Sequence, residues 1–466
     1  MPNTFAYLAL LLTAALAAVA FALLKPRAAT AVVLIGAVLF LPQRVEFDTV
    51  GLPAFDKLMI SGLCALVGAL ITAPRSLMLA RPGRGVDALG ILAVAAAVGT
   101  VFTNRERLVY STTVLPAHVP SDVLSILAPL ILTVFVPFLL GRALFRTSAD
   151  LRTLLRVLVL LGIIYLPLVA YEVRMSPQLH RIVYGFTQHS FSQTYRGGGW
   201  RPMVFMAHGL ALGLFVMTAM VAAWAALRAR VNLRFLPTSM VVFALTLLLV
   251  LVKSLGALLY GLAAIPLVLF GRAKLQVRVA ALLGAITLGY PMLRSADMFP
   301  VEATLDLARE LSTDRAESLA FRFYHEDHLL EKALERPWFG WGNYARGRVY
   351  DEEGRDISVT DGAWIIVLGS RGALGFVALF GLLLFPIWKA AWVMRKIPRR
   401  SDRLLLAGLA LIVALRCVDL LPNGLFSHIT IFLAGALHGL ATGIPREHQR
   451  DAPARAHTLI RGKARG

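Results

Sequence analysis

The sequence predicts an all-α fold, a polytopic membrane helix bundle of about 12–13 transmembrane helices with one long extracytoplasmic loop. Of the 466 residues, 58% are hydrophobic and only 16% are charged, whereas soluble domains carry roughly 25% charged residues. Apolar runs of membrane-spanning length recur along the chain, and basic residues concentrate in alternate connections between them. Together these observations predict a protein embedded in a membrane.

Thirteen apolar runs are candidate membrane spans. The first has no basic segment before it and is long enough to span, so we interpret it as a membrane helix and not as a cleaved signal. Only Lys253 and Ser254 separate the eighth run from the ninth. The runs cover residues 4–24, 28–42, 57–73, 87–103, 122–141, 154–172, 203–226, 237–252, 255–270, 279–293, 363–388, 404–421 and 424–444.

The formal net charge of +20 lies largely in short loops between these runs. One alternate set of connections is rich in lysine and arginine, while the other set, which includes residues 173–202 and 294–362, carries mixed charge or little charge. The positive-inside rule places the basic set in the cytoplasm, the N-terminus outside and the C-terminus inside. Because topology explains the basic residues, we expect no nucleic-acid partner.

The runs and loops divide the chain into four parts. Residues 1–293 form the N-terminal transmembrane helices, 294–362 the extracytoplasmic loop, 363–444 the C-terminal transmembrane helices, and 445–466 a basic cytoplasmic tail that we expect to be flexible. Within the loop, apolar residues recur at steps of three and four from Asp314 to Glu335. This spacing predicts an amphipathic helix on the outer membrane face, with a structural cap on the bundle as the alternative.

A glycine-rich segment before the seventh span contains candidate anion-binding residues. Arg196 precedes three glycines, Arg201 follows at the mouth of the span, and His208 lies about two turns into it. Glycines let backbone amides approach an anion, and a guanidinium matches phosphate oxygens. The alternatives are an interfacial anchor for Arg201 and, for His208 about two turns into the span, a neutral histidine bonded to a neighbouring helix.

Other polar residues lie near predicted span ends. Lys253 is either an interfacial anchor or faces a polar cavity, because a lipid-facing lysine costs about 2.5–3.5 kcal/mol at the bilayer centre. Arg416 and Asp419 are three apart and predict a structural ion pair, with substrate contact as the alternative. Neither Cys64 nor Cys417 has a metal-ligand or disulfide pattern, and we predict no metal site and no cofactor.

The long loop supplies the candidate bases. Asp361 directly precedes an apolar run, where it is either an N-cap or a general base toward a sugar hydroxyl. His325, with His328 three residues later in "FYHEDH", is a second candidate for the base, and no third metal ligand with a recognisable spacing accompanies the two histidines. The turn "PWFGWGNY" follows Arg336, and Trp341 within it is a candidate substrate-binding residue.

Four segments follow one another along the chain in this order: "YRGGGWRPMVFMAHG", "KSLGALL", "ERPWFGWG" and "DGAWIIVLGSRGALG". In this order they resemble the motifs of the O-antigen ligase and O-antigen polymerase superfamily, bacterial membrane glycosyltransferases of GT-C type. The resemblance covers roughly residues 196–375 in motifs and most of the chain in hydropathy. "ERPWFGWG" followed by the last segment is its most specific part.

The resemblance implies a metal-independent enzyme of the bacterial inner membrane with its active face in the periplasm. The donor would be a glycan on undecaprenyl diphosphate, with membrane lipid and a chain-length regulator or flippase of the same pathway as further partners. Arg196 and Arg322 would neutralise the diphosphate, Asp361 or His325 would be the base, and Arg201, Lys253, His208 and Trp341 would bind substrate.

The chain departs from the family pattern at two positions. Leu255 replaces an arginine, so Lys253 would stand in for it, and Asp361 replaces the histidine that ligases carry. We therefore expect a polysaccharide polymerase, with an O-antigen ligase acting on lipid A–core as the alternative. From other classes, a flippase of lipid-linked sugars and a structural subunit of an envelope-assembly complex are further alternatives, although flippases tend to show internal repeats and midplane charges that we do not see.

Overall fold

The computed structural model describes the backbone of residues 1–48, 53–78, 80, 85–196 and 198–463. Side chains are described for the same residues apart from Arg196, Leu311, Asp314, Arg315 and those after Arg450. The fold is 72% helical and 3% strand, which confirms the prediction of an all-α bundle.

The thirteen predicted spans each coincide with a helical segment of the described chain. Eight of these segments are long and apolar enough to cross a membrane, and four more are shorter apolar helices. The remaining segment, Arg400–Asp419, has charged residues at both ends and a buried apolar middle. The protein is therefore a membrane-embedded, multi-pass helix bundle.

The helices that precede the long loop include two short ones, α4 and α9, that the hydropathy did not predict. The helices described in this part of the chain are α1 (Thr4–Leu23), α2 (Pro26–Phe40), α3 (Lys57–Thr72), α4 (Pro74–Met78), α5 (Val86–Thr103), α6 (Asp122–Leu130), α7 (Val136–Leu144), α8 (Ser148–Met175), α9 (Leu179–Tyr184), α10 (Gly209–Arg228), α11 (Thr238–Leu251), α12 (Leu255–Phe270) and α13 (Ala273–Ser295). A π-helical turn, Ile131–Phe135, joins α6 to α7 in one span.

The long loop and the C-terminal part hold α14 (Val301–Leu311), α15 (Thr313–Leu334), α16 (Ala363–Val393), α17 (Arg400–Asp419) and α18 (His428–Lys463). Helix α15 matches the predicted amphipathic helix within one residue at each end. Short 3-10 helices cover Phe191–Thr194 and Met394–Lys396. The strands form three antiparallel hairpins, β1 (Glu46–Phe47) with β2 (Phe55–Asp56), β3 (Leu108–Tyr110) with β4 (Thr113–Leu115), and β5 (Tyr195–Arg196) with β6 (Gly199–Trp200).

Helices α10, α17 and α18 form the centre of the bundle. The most apolar stretch of α18 is 94% buried and that of α10 is 78% buried, compared with 33% for α1 and α5. Helix α10 packs against α8, α11, α12 and α17. The outer helices instead expose large apolar side chains such as Leu16, Ile91 and Phe243, as expected where lipid is the solvent.

The C-terminal tail differs from the sequence prediction, because α18 continues through Lys463. Polar contacts of two residues, Glu447 and His448, hold the start of its helical extension to the bundle. Glu447 accepts hydrogen bonds from Ser148 N (2.8 Å) and Ser148 Oγ (3.0 Å), and His448 Nε2 lies 3.1 Å from Asp402 Oδ2. Hydropathy detects only apolar segments, so it could not predict a helix that polar groups attach to the bundle.

Helix α10 starts later than the sequence predicted, at Gly209 and not at residue 203. The carboxylate of Glu172 accepts hydrogen bonds from Met203 N (2.8 Å) and Val204 N (2.7 Å). These bonds hold the backbone before α10 in an irregular path, with Val204 at φ 55°. The polar residues of this segment consequently lie at the end of the bundle and not within a span.

Residues 337–342, here called the clasp, insert into a break in α16. Ala373 N donates to Pro337 O (2.7 Å) and Trp341 N donates to Gly369 O (2.7 Å). The break is at Gly372, which has φ 64° and ψ −171°. The two most specific segments of the family resemblance thus form one structural unit, joined by main-chain hydrogen bonds.

Candidate functional site

Helix α15 brings Arg322 against Asp361, which directly precedes α16. The Arg322 Nε to Asp361 Oδ2 distance is 3.3 Å, and the side chains are 32% and 39% exposed. The alternative interpretation of Asp361 as an N-cap is wrong, because the cap residue of α16 is Gly362 and no side chain caps the helix. The carboxylate of Asp361 therefore does not cap α16 and is paired with the guanidinium of Arg322.

A second carboxylate, that of Asp419 at the end of α17, lies within electrostatic range of Arg322. Asp419 is 5% exposed and accepts a hydrogen bond from Asn423 Nδ2 at 3.0 Å. Its Oδ2 is buried and has no hydrogen-bond partner among the described residues. The α17–α18 connection also packs on Asp361, since a Cβ at Gly424 would lie 3.1 Å from Asp361 O. Ala363 N donates to Leu420 O at 2.9 Å beside this contact.

The predicted ion pair between Arg416 and Asp419 does not form within the described part of the chain. Arg416 Nε donates to Thr430 Oγ1 (2.9 Å), and its Nη1 donates to Thr218 Oγ1 (3.0 Å). These bonds cross to α10 and α18, so Arg416 ties the bundle together. Helical spacing put the two residues on one face but gave no information about competing partners on neighbouring helices.

Glu326 anchors α15 to the membrane helices and so positions Arg322. Tyr290 OH donates to Glu326 Oε2 (3.0 Å), and Trp364 Nε1 donates to Oε1 (3.3 Å). Arg294 Nη2 adds an ion pair with Asp327 at 2.5 Å. Sequence reasoning missed Glu326, although it lies on the apolar face of α15 with Phe323 and Leu330, where an acid is unexpected.

Glu326 gives a pH-dependent prediction. Burial raises the pKa of its carboxyl above the ordinary glutamate value of 4.5. The folded protein therefore holds this proton more tightly than the unfolded chain. The contribution of Glu326 to the free energy of unfolding falls as pH rises from 4.5 through the folded pKa. We expect Glu326→Gln to remove this part of the decline, as measured by the melting temperature in detergent at a series of pH values.

The matched control is Glu331→Gln, which changes an exposed glutamate of the same helix and should keep the wild-type profile. Parallel profiles for wild type and Glu326→Gln would contradict the role of Glu326.

His325 lies one helical turn from Arg322 and is buried, at 9% exposure. Its ring packs against the rings of Phe321, with centroids 4.3 Å apart, and Tyr324, at 5.3 Å. Of the two candidate bases, Asp361 is thus the one that the structure pairs with Arg322.

Three of the candidate substrate-binding residues lie around the β5–β6 hairpin and the start of α10. Lys253 Nζ approaches Gly199 so closely that a Cβ there would lie 2.3 Å away, and Arg201 is 4% exposed and packs on Gly209. His208 is the N-cap of α10 and its Nδ1 accepts a hydrogen bond from Leu210 N at 3.0 Å. The predicted position of His208 two turns inside a span was therefore wrong.

Arg196 lies in β5, opposite Gly199 of β6. Its side chain is outside the described part of the structure, so its predicted role stays a prediction.

Trp341 is not available as a substrate-binding residue. The residue is 5% exposed, and its Nε1 donates to Lys332 O at 2.6 Å. Lys332 Nζ and Arg336 Cζ lie 3.9 Å and 4.2 Å from the ring centroid. These contacts give Trp341 a structural role at the end of α15, where it supports the clasp.

Comparison with known proteins adds no further information about the site. No family model matches the chain, and no curated protein matches it.

Proposed function

We propose that this protein is a polysaccharide polymerase of the bacterial inner membrane. It joins glycan repeat units carried on undecaprenyl diphosphate at the periplasmic face. The proposal rests on the resemblance of its motifs to the O-antigen ligase and polymerase superfamily. The contact between Arg322 and Asp361 supports it most directly, because these residues fill the cation and base positions that the resemblance assigns.

The arrangement suits an acid–base displacement at a diphosphate ester. Arg322 neutralises charge that develops on the departing diphosphate, and a preorganised cation of this kind typically contributes a large part of transition-state stabilisation. Asp361 accepts the proton of the acceptor hydroxyl. That oxygen bonds to the anomeric carbon, while the bond from this carbon to the diphosphate oxygen breaks and undecaprenyl diphosphate leaves with the electron pair.

In the described structure the Asp361 carboxylate forms an ion pair with the Arg322 guanidinium. A bound diphosphate carries more charge than one carboxylate and competes for the guanidinium. Binding of the donor thus releases the Asp361 carboxylate beside the reacting carbon. Asp361 thus orients Arg322 before the donor binds and serves as the base afterwards.

Deletion of the gene tests this function. We expect single repeat units on undecaprenyl diphosphate to accumulate at the outer face of the membrane, with loss of polymer. Finished long chains at the outer face would instead indicate a ligase that transfers glycan to lipid A–core. Repeat units confined to the inner face would contradict the proposed enzyme and indicate a flippase.

A further inference from the structure

Two adjoining cavities open at the end of the bundle that lies opposite the Arg322–Asp361 site. The ends of α13 show the separation, since Arg294 contacts α15 and Lys274 lies about 30 Å away at 1.5 Å per helical residue. Lys274 lines both cavities, which have volumes of about 620 and 360 Å³. Positive-inside topology places this end in the cytoplasm.

The larger cavity is lined by Lys274, Arg278, Arg395 and Lys396. The smaller one has five basic residues: Arg228, Arg272, Lys274, Arg400 and Arg403. No aspartate or glutamate lines either cavity among the described residues.

These basic residues differ from others near the same membrane surface. Arg27, Arg142 and Arg152 form ion pairs with Asp150, Asp87 and Asp402, respectively. None of the residues that line the two cavities has such an ion pair in the described part of the chain. Arg228 Nε is also buried without a hydrogen-bond partner among the described residues. Orientation in the membrane requires positive loops, but it does not require cations without ion-pair partners to gather around two cavities that share Lys274.

An apolar groove shares one lining residue with the larger cavity and extends toward the opposite end of the bundle, where Ser295, Leu334 and Pro337 line it. Trp388 lines both the cavity and this groove, which has a volume of about 720 Å³. Leu288, Phe376, Val377 and Phe385 also line the groove. Cations that lead into an apolar groove match an amphiphile with an anionic head group and a hydrocarbon chain.

We infer that the two basic cavities bind the head group of a phospholipid with two phosphates, a cardiolipin, and that the groove receives one of its acyl chains. Two phosphates fit the division into two cation-lined cavities that share Lys274. Each phosphate would meet at least four lysine or arginine side chains, and their hydrogen bonds to phosphate are charge-assisted. The two basic cavities are separate from the Arg322–Asp361 contact, and the head-group proposal does not depend on the transferase chemistry, although the groove reaches α15 and the clasp at Leu334 and Pro337.

Lipid titration of the purified full-length protein in detergent, followed by native mass spectrometry, tests the proposal. The variant Lys274→Gln/Arg395→Gln removes one shared and one unshared cation, both exposed in the structure. We expect its affinity for cardiolipin to fall at least tenfold, because each cation near a lipid surface contributes about fivefold. The matched control Lys25→Gln/Arg230→Gln removes two exposed charges that line neither cavity. Because salt screens exposed charges that do not contact the head group, this change should alter affinity less than about twofold.

Three results would overturn the proposal. Equal cardiolipin affinity of wild type and Lys274→Gln/Arg395→Gln would exclude the cavities as the site. Equal affinity of wild type for phosphatidylglycerol would exclude recognition of two phosphates. Displacement of cardiolipin by the same concentration of inorganic pyrophosphate would show a site for a soluble anion and not for a lipid. Melting temperatures of both variants within a few degrees of wild type confirm that folding is retained.

Discussion

Arg322→Ala will lower polymer formation by about 10²–10³-fold, the usual loss when one preorganised donor to a developing oxyanion is removed. The loss is chemical and not structural, because Glu326, Tyr290 and Trp364 anchor α15 without Arg322. The measurement is polymer synthesis from purified undecaprenyl-diphosphate-linked repeat units by protein reconstituted in vesicles.

Arg309→Ala is the matched control for this prediction. Arg309 lies in the same loop, is 56% exposed at its side chain and pairs only with Asp306 in the described residues, so its removal should leave activity unchanged. Arg322→Lys keeps the charge but loses the planar fork, and we expect activity between wild type and alanine. Arg196→Ala tests the second predicted cation in the same assay. Wild-type rates in both single variants, Arg322→Ala and Arg196→Ala, would contradict the assignment of the site.

Gly372→Ala will destabilise the protein by about 3 kcal/mol, because backbone strain and forced overpacking each cost roughly 1–3 kcal/mol. Its φ of 64° and ψ of −171° lie in a region that is essentially restricted to glycine. A Cβ at this position would also lie 2.3 Å from the carbonyl carbon and oxygen of Trp338. The clasp must therefore move away from α16, which we expect to lower the melting temperature in detergent and to reduce the amount of folded protein in membranes.

The control is Gly289→Ala in α13. Gly289 is also a glycine of a long apolar helix, but a Cβ there would meet nothing within 4 Å. Because alanine favours helix over glycine by about 1 kcal/mol, this change should be neutral or slightly stabilising. Equal melting temperatures for the two variants would show that the clasp does not depend on Gly372.

The helices could be predicted because hydrophobic length is a local property of sequence. The irregular start of α10 could not, since it depends on Glu172, a residue of α8 that captures two backbone amides of a distant segment. The anchored tail has the same cause, because Glu447 and His448 bond to Ser148 and Asp402 far away in the chain. Long-range polar contacts leave no periodicity for sequence analysis to detect.

In the candidate site, too, some residues could be predicted from the sequence and others could not. Arg322 and Asp361 could be selected by residue type and motif position, and the structure places them in contact. Trp341 was a candidate from its place in the turn "PWFGWGNY", but only tertiary structure shows that Lys332 and Arg336 cover its ring. Glu326 was assigned no role, and Asp419 was predicted as an ion-pair partner of Arg416 with substrate contact as the alternative. The partners of both buried acids lie on other helices or in the following connection, so only the tertiary structure shows them.

The main-chain bonds of the clasp have an evolutionary consequence. Because Pro337 O, Trp341 N and the atoms around Gly372 make the attachment, substitution of most side chains on the turn would leave the hydrogen bonds in place. Divergent relatives can therefore lose nearly all pairwise identity in this region and still share its geometry. We expect distant relatives to be recognisable by a glycine-broken helix that receives a Pro–x–x–Gly turn, even where aligned side chains no longer correspond.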